Sequence, residues 1–285
     1  MWRYGILYRA CNLIESLANQ PKLEKNLLSS FQDTFRGVRI KDVIDVSRYA
    51  SWIADDEDGL LFVTDQGQEL LAADSDMVRM RLQVDKLVKL MKPLWAALAV
   101  QGRKAMLNYL DDNILQCFEE AGLTKGHDTD VVEWWDRLAA NYRGVGSYRN
   151  TEIGRQGERL SCEYELSRTG EWPNWIALEQ AEAGYDLVSQ VSREDKSRLV
   201  IEVKTTTRDW KYAKFFMSRN EWDVLYNQHP RALVHLWCLE EEEQPKNSTL
   251  NLEQLKKHVP QDTGKGKWEK FSCCFSEFNF LPYKF

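Results

Sequence analysis

No apolar run in the 285-residue chain approaches the roughly 18 residues that a membrane-spanning helix needs, which argues against a membrane protein. A secretory leader is missing as well. In MWRYGILYRACNLIESL the apolar positions are interrupted by Arg3, Arg9, Asn12 and Glu15, and no small-residue cleavage site follows. This stretch reads as the first helix of a folded, cytoplasmic protein. The six cysteines (Cys11, Cys117, Cys162, Cys238, Cys273, Cys274) show no C-x-x-C spacing, and the four histidines form no H-x-x-x-H or His/Cys cluster. A structural zinc site is thereby disfavoured, and reduced, buried thiols are expected. Basic charge is also short: 38 Lys and Arg stand against 44 Asp and Glu, for a net charge of −6. Residues 1–150 and 151–285 each hold 19 basic and 22 acidic residues, so neither half is a general polyanion-binding surface.

The chain does have a core to bury, at 43% hydrophobic and 12% aromatic residues. Helical periodicity runs from Tyr4 to Leu17, from Pro21 to about Phe31, and through Val38, Ile40, Val43, Ile44, Val46 and Tyr49. Trp52-Ile53, the acidic tip Asp55-Asp56-Glu57-Asp58-Gly59 and Leu60 to Thr64 then read as strand, turn and strand, before a helix capped by Thr64. Three helices and a hairpin outline a winged helix, although four acidic residues in the wing repel phosphate. Residues 76–121 read as helical with breaks at Pro93 and Gly102. An amphipathic helix from Thr129 to Tyr142 carries Trp134-Trp135, expected to pack on the following domain. Arg143-Gly144-Val145-Gly146-Ser147 reads as a linker. The expected organisation is 1–95 winged-helix-like, 96–150 helical connector and 151–285 a second domain.

In that second domain the pattern predicts a helix over Ile153–Ser167, a strand over Trp175–Gln180 and a hairpin made of GYDLVSQV, the polar tip SREDKSR and LVIEVKTTT. A helix from Ser218 to Asn227, a buried strand Ala232–Leu239, a solvated loop Glu240–Pro245, a short helix Leu252–His258, a turn at Gly264-Lys265-Gly266-Lys267 and a last strand Trp268–Phe275 follow. This is an α/β domain with a mixed sheet. Strand alternation sends Leu199, Ile201 and Val203 to one face and Val200, Glu202 and Lys204 to the other. A turn centred near Asp195 would set Asp186 opposite Lys204.

Carboxylates on adjacent strand ends suit a hard divalent cation, Mg²⁺ with Mn²⁺ as substitute, and a lysine on the same face can orient or deprotonate a bound water. Asp186, Glu202 and Lys204 supply these parts. A second cation would need a further acid, for which Glu158 in Gly154-Arg155-Gln156-Gly157-Glu158 is the candidate, the glycines letting that helix start approach another backbone or a phosphate. On an exposed strand an E-x-K is ordinarily a solvated face. Here the flanking Leu199, Val200, Ile201 and Val203 indicate a buried strand, where charges are costly unless paired or metal-bound. Six basic residues lie between Arg198 and Arg219 against Glu202 and Asp209. Arg208, Lys211, Lys214 and Arg219 of this group, with Arg155, are the candidate nucleic-acid contacts. The aromatics Trp210, Tyr212, Phe215 and Phe216 read as core or sheet-edge residues, with base stacking as the alternative.

The blocks GRQGERLSCEYEL, GYDLVSQV, RLVIEVKTTT and FFMSRNEWDVL, in this order and spacing, resemble the NO VEIN C-terminal domain family, within the PD-(D/E)XK nuclease-like superfamily and near the Mrr-like restriction endonucleases. The resemblance spans about residues 150–240. It implies a restriction-endonuclease-like core and Mg²⁺-dependent cleavage of phosphodiester bonds in DNA, with Asp186, Glu202 and Lys204 as metal-binding and catalytic trio and Glu158 as the helical acid. Glu221 or Asn220, in the block after the catalytic strand, would reach the site. Tyr185 stands where many members have proline. The resemblance further implies an anti-phage or restriction setting, in which a helicase or ATPase partner is expected; because one site cuts one strand, a homodimer or larger complex is the expectation for double-strand cutting. Two other readings stay open: a catalytically silent module that binds DNA or a partner protein, and a transcriptional regulator led by the winged helix.

Overall fold

The computed structural model describes residues 2–30, 37–143, 148–240, 243–264 and 266–283. The expected linker residues 144–147, the end of the second helix at Phe31, residues 241–242 of the acidic loop and Lys265 of the glycine turn lie outside them. Among the described residues no helix is long and apolar enough to cross a membrane. The chain divides into two compact units, residues 1–99 with 106–135, and residues 100–105 with 136–285.

In the first unit α1 (Tyr4–Asn19) buries Ile6, Leu7, Ala10, Cys11, Leu13, Ile14 and Leu17, the stripe that a 3.6-residue period produces. A two-residue strand β1 (Lys22–Leu23), α2 (Glu24–Ser30) and α3 (Ile40–Tyr49) follow, then the hairpin β2 (Ile53–Asp55) and β3 (Leu60–Val63). The three strands form an antiparallel sheet in the order β1-β3-β2. At the hairpin tip the Asp56 carboxylate accepts the Asp58 and Leu60 amides, and Gly59 takes the positive φ the turn requires. α4 (Asp65–Leu71) is capped by Thr64 and α5 (Asp76–Met91) by Ser75. A 3₁₀ segment (Leu94–Gln101), α6 (Arg103–Leu107) and α7 (Asp112–Glu120) come next. The boundary between the units falls inside α8 (Thr129–Arg143), after Trp135. Trp134 and Trp135 pack edge-on against each other and on Phe118, and the Trp135 indole donates to the Leu123 carbonyl. Both rings belong to the first unit's core.

The second unit is built on a six-stranded mixed sheet in the order β11-β9-β8-β6-β5-β4. Its elements are α9 (Tyr148–Thr169), β4 (Asn174–Trp175), α10 (Ile176–Glu179), β5 (Leu187–Gln190), β6 (Arg198–Thr206), β7 (Lys214–Ser218), α11 (Arg219–Gln228), β8 (Ala232–Cys238), β9 (Lys246–Asn251), α12 (Leu252–Lys256), β10 (Lys270–Cys274) and β11 (Leu281–Pro282). β6 and β8 run parallel, and the other neighbours are antiparallel. One face of the sheet receives α9. Thr205 meets Gly157 there, the Trp237 indole donates to Ser161, and His235 faces Glu165. On the other face Val200, Val234 and Leu236 join Trp222 and Leu225 of α11 in the main core. Gly157 is dictated by that packing, since a Cβ there would sit 1.8 Å from Thr205 Oγ1.

Three expectations change. Trp175–Gln180 is not one strand: two residues pair with β5, and the chain then turns helical as the Asp186 carbonyl accepts the amides of both Ile176 and Ala177. The Gly154–Glu158 segment lies inside α9 rather than at its start, so its amides are spent within the helix and present no phosphate-binding terminus. The strand expected last, over Trp268–Phe275, forms as β10 and pairs with β7 in a separate two-stranded sheet, while the polar strand β9 takes the place beside β8 and β11 follows it.

Candidate active site

Asp186 is delivered by a turn in which Gly184 holds a φ of +79°, within close reach of Val224 and Asn220 on α11. The register Leu187↔Ile201, continued by one residue, sets Asp186 beside Glu202, not opposite Lys204 as expected. The difference arises at the hairpin tip. Val191 pairs with Ser197, and Ser192 Oγ accepts the amides of Glu194 and Asp195, which centres the turn on Glu194. One carboxylate oxygen of Asp186 accepts the Val203 amide at 2.7 Å, fixing it at the open end of β5.

Glu202 and Lys204 sit on the α11 face of β6, as alternation requires, and Glu202 is only 4% exposed. Lys204 Nζ lies 2.7 Å from Glu202 Oε1 and donates to Glu221 Oε1 at 3.0 Å. Glu221 is itself locked by the capping box at the start of α11. Its second oxygen accepts the Ser218 amide at 2.6 Å while Ser218 Oγ accepts the Glu221 amide. Of the two residues expected to reach the site from this helix, it is Glu221 that does.

The electrostatics follow from enclosure. Burial, then the neighbouring Glu158 charge, holds the Asp186 carboxyl above the usual carboxylate range, and burial with the Asp186 charge does the same to Glu202. Burial would depress the Lys204 ammonium, but Glu202 and Glu221 outweigh it and hold it above its ordinary value. At Glu221 burial works in the opposite direction and is outweighed by Lys204 and the Ser218 amide, so its carboxyl stays below the usual range. Three acids, Asp186, Glu202 and Glu221, thus share one ammonium. The enclosed excess of negative charge is one that a hard cation would relieve.

Glu158 lies close enough to act on Asp186, but its Oε2 accepts from Arg155 at 2.7 Å and from the Trp175 indole. Arg155, an expected nucleic-acid contact, is turned inward and binds both oxygens of Asp136 as well as Glu158. Its guanidinium is committed to holding α9 carboxylate geometry, not to the surface. Among the described residues no three carboxylate, imidazole or thiol groups converge to hold a metal ion. The structure therefore brings together Asp186, Glu202 and Lys204, adds Glu221, and keeps Glu158 one step away behind Arg155 and Trp175. Arg208, Lys211 and Lys214 are exposed on the β6–β7 connection and β7. Arg219 is bound to Asp262 and Asp223 and lies over the Trp268 ring at 5.0 Å. Sequence reasoning missed Asp136 and Trp175. For Glu221 the S-x-x-E spacing before an apolar run was the available signal.

Residues 157–246 match the family model described as Protein NO VEIN, C-terminal, a span that holds Glu158, Asp186, Glu202, Lys204 and Glu221. No curated protein and no solved structure matches the chain.

Proposed function

We propose that the second unit is a metal-dependent DNA endonuclease of the PD-(D/E)XK type, with the Asp186–Glu202–Lys204 cluster as its hydrolytic centre. The observation that carries this reading is a half-buried carboxylate, Asp186, just before β5, set beside the buried Glu202 in the middle of β6, with one ammonium 2.7 Å from Glu202. Asp186 and Glu202 would hold Mg²⁺ or Mn²⁺, and Glu158 would add negative field at Asp186. The donor set fits such an ion, because the oxygens are hard, enclosed and short of positive charge. When bound, the ion would polarise a phosphoryl oxygen and make a water molecule more acidic. Lys204 would place its proton donor beside the reacting phosphate and stabilise developing charge, while Glu221 fixes the direction of the ammonium. The exposed Arg208, Lys211 and Lys214 would position the phosphate backbone.

The first unit, with α1, α2 and α3 followed by the β2–β3 hairpin, would be winged-helix-like and recognise DNA or a partner. Its acidic tip at Asp56, Glu57 and Asp58 favours contacts other than phosphate. A restriction or anti-phage setting with a helicase or ATPase partner accords with the family resemblance, and a homodimer would let one site per copy cut both strands. A second reading has its own support. Lys204 is tied to two carboxylates, and among the described residues no three ligand groups converge, which supports a silent module that binds DNA or a partner. Nicking and linearisation of supercoiled plasmid in Mg²⁺ or Mn²⁺ separate the two. Cleavage by wild type and none by Lys204→Ala supports the nuclease; equal activity in both sinks it.

A further inference from the structure

The small sheet formed by β7 and β10 has one face in the core and one in solvent. Ala213, Phe215, Met217, Phe271 and Cys273 point inward, and alternation turns Lys214, Phe216, Lys270 and Ser272 outward. The outward side is unusual for a solvated face. Phe216 is 56% exposed at its centre, paired across the strands with Ser272, and Tyr212 just before β7 is 83% exposed. The Lys270 ammonium lies 5.5 Å from the Phe216 ring centroid. No acidic side chain lies on the outward face of either strand, and the acidic neighbours Asp209 and Glu269 fall outside both strands. Arg219, by contrast, is neutralised by Asp223 and Asp262.

A flat, exposed ring flanked by cations suits a polyanion whose bases are free to stack. In a duplex the base faces are already stacked on one another, so such a ring selects unpaired strands. The strand that carries this ring ends beside the catalytic cluster. Phe216 precedes Ser218 by two strand residues, roughly 7 Å, and the Ser218 amide is bound to Glu221, which holds Lys204. We propose that this face, centred on Phe216 with Lys214 and Lys270 beside it, docks single-stranded DNA next to the Asp186–Glu202 site. The proposal rests on the nuclease reading for the choice of DNA, and on the sheet face itself for the preference for unpaired bases.

The test is fluorescence anisotropy of the full chain in EDTA, where no cleavage intervenes, with a labelled oligothymidylate of about 16 nucleotides, a blunt duplex of equal length and the oligouridylate counterpart. The oligothymidylate should bind tighter than either alternative. Phe216→Ala should weaken it about tenfold or more, Phe216→Trp should keep it, and Lys214→Ala with Lys270→Ala should lower both affinity and salt dependence. Circular dichroism identifies any variant that has lost its fold, and the tryptophan variant keeps the comparison decisive in that case. An unchanged affinity in Phe216→Ala, or preference for the duplex or for RNA, overturns the proposal. Binding through Phe216 without cleavage in any divalent cation would leave the platform standing and remove the nuclease reading. Cleavage of duplex DNA unaffected by Phe216→Ala would do the reverse.

Discussion

His235 is the buried group whose protonation should set the acid limit of the second unit. It lies on β8 between Val203 of β6 and Thr249 of β9, only 1% exposed, with the Tyr164 ring edge-on at 5.3 Å. Neither ring nitrogen has a hydrogen-bond partner among the described residues. The charged groups facing it come from α9. Glu165 Oε1 lies 3.8 Å away and would favour an imidazolium, but Arg168 already holds both Glu165 oxygens. Burial dominates and pushes the imidazole down to about 4 from its ordinary 6.5. In the unfolded chain His235 takes up its proton first, so stability is complete above about 6.5 and drains as pH falls toward 4. Two and a half units at 1.36 kcal/mol each amount to about 3 kcal/mol. His235→Phe keeps the ring contact with Tyr164 and removes the titration. Urea unfolding of wild type and variant from pH 7.5 to 4 should show a stability difference that moves by about 3 kcal/mol in favour of the variant. With four histidines in the chain, imidazole proton resonances give a second reading, one of them still neutral at pH 5. Parallel pH profiles for the two proteins, or a His235 resonance that titrates near 6.5, would refute the reasoning.

Other perturbations have defined outcomes. Gly157→Ala forces a methyl to 1.8 Å from Thr205 Oγ1, so it should lower stability by about 1–3 kcal/mol, read as a fall in Tm, with partial recovery in Gly157→Ala/Thr205→Ala. Asp186→Asn keeps an acceptor for the Val203 amide while relieving repulsion with Glu202 and Glu158. The metal-free variant should melt at or above wild type, and Mg²⁺ should raise the Tm of wild type alone. Glu221→Gln preserves the capping spacing but loses the second anion on Lys204. Cleavage should fall at least tenfold, about 1.4 kcal/mol in the barrier, with Tm changed far less, whereas Ser218→Ala should cost about 1 kcal/mol of stability by uncapping α11.

Local rules made much of the site legible. Alternation along β6 put Glu202 and Lys204 on one face, and the apolar neighbours foretold the burial of Glu202. The mixed α/β class followed from the order of periodic segments. What escaped was set by side chains acting over distance or against local pattern. The side-chain oxygens of Ser192 and Asp195 hold the hairpin tip by accepting nearby backbone amides, which shifted the register by two residues. Arg155 reads as a free cation until Asp136, 19 residues earlier, is seen to bind it. The strand KNSTLN carries too little apolar alternation to be recognised, because its partner β8 supplies the hydrophobic contribution. Phe215 and Phe216 are adjacent aromatics with opposite fates, one in the core and one in solvent, which only the placement of β10 decides.

Single-turnover cleavage of an end-labelled DNA strand, with Mg²⁺ added to protein freed of divalent ions, tests the central claim most directly. The account predicts cleavage by wild type that depends on the added ion, and loss of that cleavage in Asp186→Asn and in Lys204→Ala while both variants retain binding. Cleavage that persists in both variants, or wild-type protein that binds the strand and never cuts it in Mg²⁺ or Mn²⁺, would contradict it.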